Sequence, residues 1–179
     1  MTQGMVLWFT GLPNSGKTTI SRLVSKQLES MGYPVERLDS DELPRSMTKD
    51  LSPDWTTRQK QKCTNLIYIA KLLYKYNVNV LIASVGRFDE MRKQARTHIP
   101  SFVEIYLKCP LNVRLQRDDK MKYERYPDTI HYYEESCNPE ITIESDKLSS
   151  EEAVSMIIRY LIEQGYITEP DGRAPHNME

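Results

Sequence analysis

Gly11-Leu12-Pro13-Asn14-Ser15-Gly16-Lys17-Thr18 is the stretch on which the fold of this chain turns. It satisfies every fixed position of the phosphate-cradling pattern G-x-x-x-x-G-K-[ST]. Its flanks agree with it. Met5–Thr10 is an apolar run of strand formers leading in. From Lys17 to about Met31 the apolar residues Ile20, Leu23, Val24 and Leu28 recur on one face of a helix leading out. Gly11 and Gly16 let the backbone turn tightly, so that inward N–H groups and the helix N-terminus form a cradle for polyphosphate. Lys17 is expected on the β- and γ-phosphates of ATP, and Thr18 on Mg²⁺. Pro13, Asn14, Ser15 and Thr19 complete the expected nucleotide contacts.

Working outward, strands alternate with helices. Pro34–Leu38 reads as a strand, followed by a polar loop containing Pro44 and Pro53. Thr56–Tyr76 is a long helical pattern. Val78–Ala83 is a continuous β-branched run, as in a strand buried on both faces. Glu90–Thr97 is helical, Phe102–Leu107 a strand, and Leu111–Arg117 the start of a helix. Residues 118–138 are polar, tyrosine-rich and aperiodic, and are read as a short mobile lid with some helix. Ile141–Glu144 is a strand, and Ser149–Gln164 an amphipathic helix whose Ser149 and Glu152 form a capping box. The order predicts an α/β P-loop fold, three layers α/β/α around a parallel sheet of about five strands. A single kinase domain is expected over residues 1–168, with a flexible tail over 169–179.

The 179 residues, 39% apolar and 27% charged, suit one globular domain. A net charge of -1 argues against nucleic acid as the partner. Apolar runs such as Val78–Ala83 are too short to span a bilayer, and the N-terminus has no signal-peptide pattern. Cys63, Cys109 and Cys137 lack metal-ligand spacing and are expected as reduced thiols. Together these predict a cytoplasmic protein.

There is no Asn-Lys-x-Asp motif to read guanine, and the strand ending Ala83-Ser84 lacks the terminal acid of motor-like ATPases. The acids stand instead in Asp39-Ser40-Asp41, where alternate residues share one face. Asp39 is assigned to the water shell of Mg²⁺ and Asp41 to the base that takes the proton of an attacking hydroxyl. Transfer disperses charge over three phosphate oxygens, so mobile cations are needed. Among Arg114, Arg117, Lys120, Lys122 and Arg125, Arg117 and Lys120 are the expected ones, the others forming a solvated face. This is the pattern of a kinase acting on a small acceptor.

The same residues resemble the adenylylsulfate kinase family over Val6 to about Leu161. The similarity runs through Trp8-Phe9-Thr10-Gly11-Leu12, Leu38-Asp39-Ser40-Asp41, Arg58, Ser84-Val85-Gly86-Arg87, Pro110-Leu111, Gln116-Arg117-Asp118 with Lys120, and Asn138-Pro139-Glu140-Ile141. The resemblance implies phosphorylation of the 3′-hydroxyl of adenylyl sulfate. Asp41 would activate the hydroxyl, Arg58 and Arg87 would hold the acceptor's anionic end, Lys120 would steady the transferring phosphate and Arg117 would cover the ATP adenine. Ser84 falls on a family serine that contacts phosphate. The family is often dimeric, and no exposed apolar stripe in this sequence decides that.

The departures fall on the acceptor side. Pro44 stands for a family Arg, Ser40 for Gly, Gln61 for Asn and Val85-Gly86 for Pro-Tyr. Between Tyr123 and Tyr133 the lid is shortened by about two helical turns of chain. The lost piece carries the aromatic that sandwiches the acceptor adenine, leaving Tyr126, Tyr132 or Tyr133 to stack. Another nucleotide acceptor, such as cytidine diphosphoramidate, is therefore the alternative within the kinases. A non-catalytic nucleotide-binding module is the alternative outside them.

Overall fold

The computed structural model describes residues 4–169. The strands β1 (Val6–Thr10), β2 (Val35–Asp39), β3 (Asn79–Ala83), β4 (Phe102–Lys108) and β5 (Ile141–Glu144) form one sheet in the order β2-β3-β1-β4-β5. Every pairing is parallel. The main helices are α1 (Lys17–Ser30), α3 (Trp55–Tyr74), α4 (Asp89–His98) and α7 (Ser150–Glu163). Shorter helices are α2 (Arg45–Thr48), α5 (Leu111–Gln116) and α6 (Lys122–Arg125).

All five residues of β1 are buried, and the period of two sorts them between two cores. Met5, Leu7 and Phe9 pack with Val24 and Leu28 of α1 and Ile157 and Leu161 of α7. Val6 and Trp8 pack with Leu66 and Ala70 of α3 and Met91 and Ala95 of α4. Trp8 is completely buried, and its indole N–H donates to the Ser84 carbonyl at 3.2 Å. The expected three layers follow from this two-sided burial.

The helix ends carry their own signals. Ser149 Oγ accepts from the Glu152 N–H and the Glu152 carboxylate accepts from the Ser149 N–H, closing the expected capping box. Asp54 caps α3 by accepting from the Thr57 N–H at 2.8 Å. The polar loop after β2 contains one helical turn, α2, that its composition does not announce. Asn65 of α3 holds it by donating to the Met47 carbonyl. Cys63, Cys109 and Cys137 are free thiols. The tail 170–179 lies outside the described residues.

Candidate active site

The phosphate loop leaves the carboxyl end of β1, the edge of a parallel sheet at which ligands of open α/β folds bind. Gly11 has φ 127°, and a Cβ there would come within 2.4 Å of the Leu107 carbonyl oxygen of β4. No other residue fits that turn. Asn14 is also left-handed, and its side-chain amide donates to the Arg114 carbonyl (3.2 Å) and to Asp118 Oδ1 (3.0 Å). Lys17 folds back over the loop and donates to the Leu12 carbonyl at 2.9 Å. Burial pushes its ammonium down to about 7, reinforced by Lys122 and Arg87 and opposed by Asp41 and Asp39.

Asp39 is almost wholly buried at the end of β2. Its Oδ2 accepts from the Thr18 hydroxyl at 2.7 Å and from Arg37 at 3.0 Å, and its Oδ1 accepts from the Asp41 N–H at 2.9 Å. Thr18 and Asp39 thus place a hydroxyl and a carboxylate side by side at the mouth of the phosphate cradle. Both are hard oxygen donors and suit Mg²⁺, which keeps several waters and takes its remaining ligands from substrate phosphates. Among the described residues no group of three or more His, Cys, Asp or Glu is placed to hold a metal ion.

Asp41 is half-exposed, and its Oδ2 accepts from Lys122 Nζ at 2.9 Å. Burial alone would raise its carboxyl; the Lys122 hydrogen bond, with the charges of Lys122, Lys49 and Lys17, outweighs that and holds it below the ordinary value.

These groups face a cavity of about 870 Å³. Pro13, Asn14, Gly16, Lys17, Thr18, Thr19, Asp39, Asp41, Arg58, Arg87, Arg117 and Lys120, each assigned from the sequence, all line it. Gly11, Ser15 and Ser84 do not. Gly11 shapes the loop from below, and Ser15 lines a second recess of about 380 Å³ with Gly16, Thr19, Arg117 and Ser145. Arg117 closes that recess by donating to the Ser145 carbonyl at 3.1 Å. Ser84 is fully buried between Ala83 and Val85, which line the cavity, and its hydroxyl has no protein partner. Its backbone is pinned between β1 and the Trp8 indole, which turns the side chain inward.

Arg58 and Arg87 reach the wall with other duties. Arg58 donates to the carbonyls of Ser52 and Pro53. Arg87 donates to the carbonyls of Thr129, Ile130 and Tyr132 at 3.1, 3.3 and 2.7 Å, and stacks over the Trp55 ring. It therefore fastens the lid as well as lining the cavity. Of the three candidate tyrosines, Tyr133 is stacked on Tyr106 and donates to Thr10, and Tyr132 packs against Trp55 and Phe88. Tyr126 is exposed on the cavity wall, where a base could stack.

Sequence reasoning missed several groups. Lys122, set aside with a solvated charge run, is the cation that meets Asp41. Arg37 is two residues before Asp39 on the same strand face, so the period of two could have found it. Tyr123, buried beneath the lid, donates to the Pro13 carbonyl at 2.9 Å and accepts from Arg114 at 2.5 Å. It ties the phosphate loop to the lid, and no local pattern announces it.

The sequence model of the adenylylsulphate kinase family matches residues 3–144. The chain belongs to that family. Among its relatives, the adenylyl-sulfate kinase of Halothermothrix orenii is 35% identical, over 94% of this chain and 95% of its own length. A probable adenylyl-sulfate kinase of Pyrococcus abyssi is 32% identical, over 92% of this chain and 99% of its own. The APS kinase CysC of Mycobacterium tuberculosis, solved in complex with AMPPNP and APS, superposes with a TM-score of 0.78 at 27% identity, covering 90% of this chain and 99% of that one.

As a member of the adenylylsulphate kinase family, the chain is a phosphotransferase acting on a hydroxyl acceptor. Of the positions that depart from the family pattern, Ser40 and Val85 line the cavity, whereas Pro44, Gln61 and Gly86 do not. Gly86 has φ 62°, and a Cβ there would press within 3.3 Å of the Trp8 ring. This close approach is what admits the buried indole beneath the cavity wall.

Proposed function

We propose that this chain transfers the γ-phosphoryl group of ATP to the ribose 3′-hydroxyl of adenylyl sulfate, giving 3′-phosphoadenylyl sulfate and ADP. The observation that carries this is the convergence of Lys17, the Thr18–Asp39 pair and Asp41 on one cavity. Supporting it, relatives across the family carry the name adenylyl-sulfate kinase, and the mycobacterial one was crystallised with APS and an ATP analogue.

In this reading the loop amides and Lys17 grip the β- and γ-phosphates, and Arg117 covers the adenine in the smaller recess. Thr18 and, through water, Asp39 would hold Mg²⁺, which when bound offsets the charge of the phosphate oxygens. Asp41 accepts the proton of the attacking hydroxyl, so it must release Lys122 first. Lys120 meets the charge that spreads over the moving phosphoryl group. Arg58 and Arg87 hold the acceptor's anionic end, and Tyr126 stacks on its base. A homodimer in the cytoplasm completes the proposal.

The test is direct: purified protein with ATP, Mg²⁺ and adenylyl sulfate, with ADP release followed by a coupled assay and the product identified by mass. Transfer to adenylyl sulfate is expected. Transfer to cytidine diphosphoramidate alone would replace the acceptor. ATP binding with no transfer to either would overturn the enzymatic reading.

A further inference from the structure

Lys62 lies one helical turn after Arg58 on α3, so the two share a face, and both line the cavity. The Lys62 ammonium donates to Gln59 Oε1 at 2.8 Å. Lys49 comes from the segment after α2, Arg87 from the loop after β3 and Asp41 from the loop after β2; all act on Lys62 electrostatically, together with its neighbour Cys63. Burial pushes its ammonium down.

Several cations of the molecule meet carboxylates: Arg37 with Glu42, Arg45 with Asp50, Lys60 with Glu90, Lys93 with Asp89 and Arg96 with Glu140. On the acceptor wall, Lys49, Arg58, Lys62 and Arg87 have no carboxylate within ion-pair distance among the described residues. Asp41, which also lines the cavity, is already matched by Lys122. A partly buried ammonium beside like charges costs stability unless a counter-anion arrives. Such an arrangement, converging on a cavity, marks a ligand site.

We propose that Lys62, with Lys49 beside it, is a specificity-determining residue that binds the anionic 5′ end of the acceptor, selecting nucleotides with two linked anionic groups over monophosphates and nucleosides. This rests on the kinase reading for the place of the acceptor. It concerns binding, so it does not depend on which acceptor is phosphorylated.

The experiment is calorimetry on the full chain loaded with ADP and Mg²⁺, using adenylyl sulfate, CDP, AMP and adenosine as probes. Lys62→Met is expected to weaken the tightest of the two-anion probes by about tenfold or more, the range of a lost charged hydrogen bond. Adenosine affinity and ADP affinity should stay within about twofold, and Lys62→Arg should restore most of the loss. Because the variant also removes a partly buried ammonium that sits beside like charges, its Tm without ligand should not fall. If CDP and not adenylyl sulfate shows the Lys62 dependence, the acceptor proposed above is wrong while this inference stands. It is overturned by unchanged affinity for every probe, by equal loss for adenosine, by a wild type that binds none of them, or by a Lys62→Met protein that is less stable or does not fold.

Discussion

Lys122 Nζ lies 2.9 Å from Asp41 Oδ2, joining the lid helix α6 to the segment after β2 across 81 positions of chain. The contact holds the Asp41 carboxyl below its ordinary value against the upward push of burial. A base with a lowered pKa stays ionised to lower pH and loses activity only as pH falls through that value. In Lys122→Met the burial effect is left less opposed, so the carboxyl rises. The acid limb of kcat/KM, which reports the free enzyme, should move to higher pH. An acid limb in the same place in both proteins would show that Asp41 is not the group being read.

Asp41→Asn removes the proton acceptor and keeps the shape. A fall in kcat of roughly 10²- to 10⁴-fold is expected, with ATP affinity little changed. Single-turnover kinetics beside ADP calorimetry separates the two effects. Turnover near the wild-type level would end the assignment of Asp41 as base.

Lys17 is expected to report the arrival of triphosphate as a proton. With its ammonium pushed down to about 7, Lys17 is mostly neutral at pH 8 in the free protein. Polyphosphate charge favours the ammonium and raises it again. ATP binding at pH 8 should therefore take up close to one proton, measured by calorimetry in buffers of different ionisation enthalpy. Lys17→Met should take up none. The same lowered value makes the free fold lose stability as pH falls from the ordinary lysine range toward 7, because the unfolded chain binds the proton first.

Tyr123→Phe deletes the hydroxyl that bridges Pro13 and Arg114. It leaves a buried guanidinium donor and a carbonyl short of a partner, a loss of about 1–3 kcal/mol in chemical unfolding. Since the lost bond fastens the phosphate loop to the lid, KM for ATP should rise in the same variant. Stability equal to wild type would show that the bridge carries no weight.

Ser84→Ala tests whether the Ser84 hydroxyl takes part in the acceptor site. The hydroxyl is buried and unpartnered, so its removal should be neutral or slightly stabilising. Both kcat and the acceptor KM should stay within about twofold of wild type, as for a site independent of the cavity. A large rise in acceptor KM would return Ser84 to the site.

The nucleotide half of the cavity was legible because its chemistry is local. The Gly11–Thr18 loop, the helix it opens and the Asp39-Ser40-Asp41 pair act within a few residues of one another, and backbone sterics and period two place them. The acceptor half was legible only in part. Arg58 and Arg87, expected at the acceptor's anionic end, both line the cavity, yet the bonds from Arg87 to the carbonyls of 129–132 depend on how the lid folds back. The sequence leaves Ser84 open, because a residue just after a strand can face the crevice or the core. The Trp8 indole and the close approach at Gly86 decide which.

What the amino-acid order determined was the parallel sheet, the two-sided core and the phosphate grip, since alternation of burial, turn glycines and helix caps are short-range instructions. Which of several lysines meets Asp41, and which are left without a carboxylate, was decided only by the tertiary structure. Charges on α3, on α6 and after α2 are far apart along the chain, and their energies depend on separations and burial that exist only once the sheet has brought those elements around one cavity.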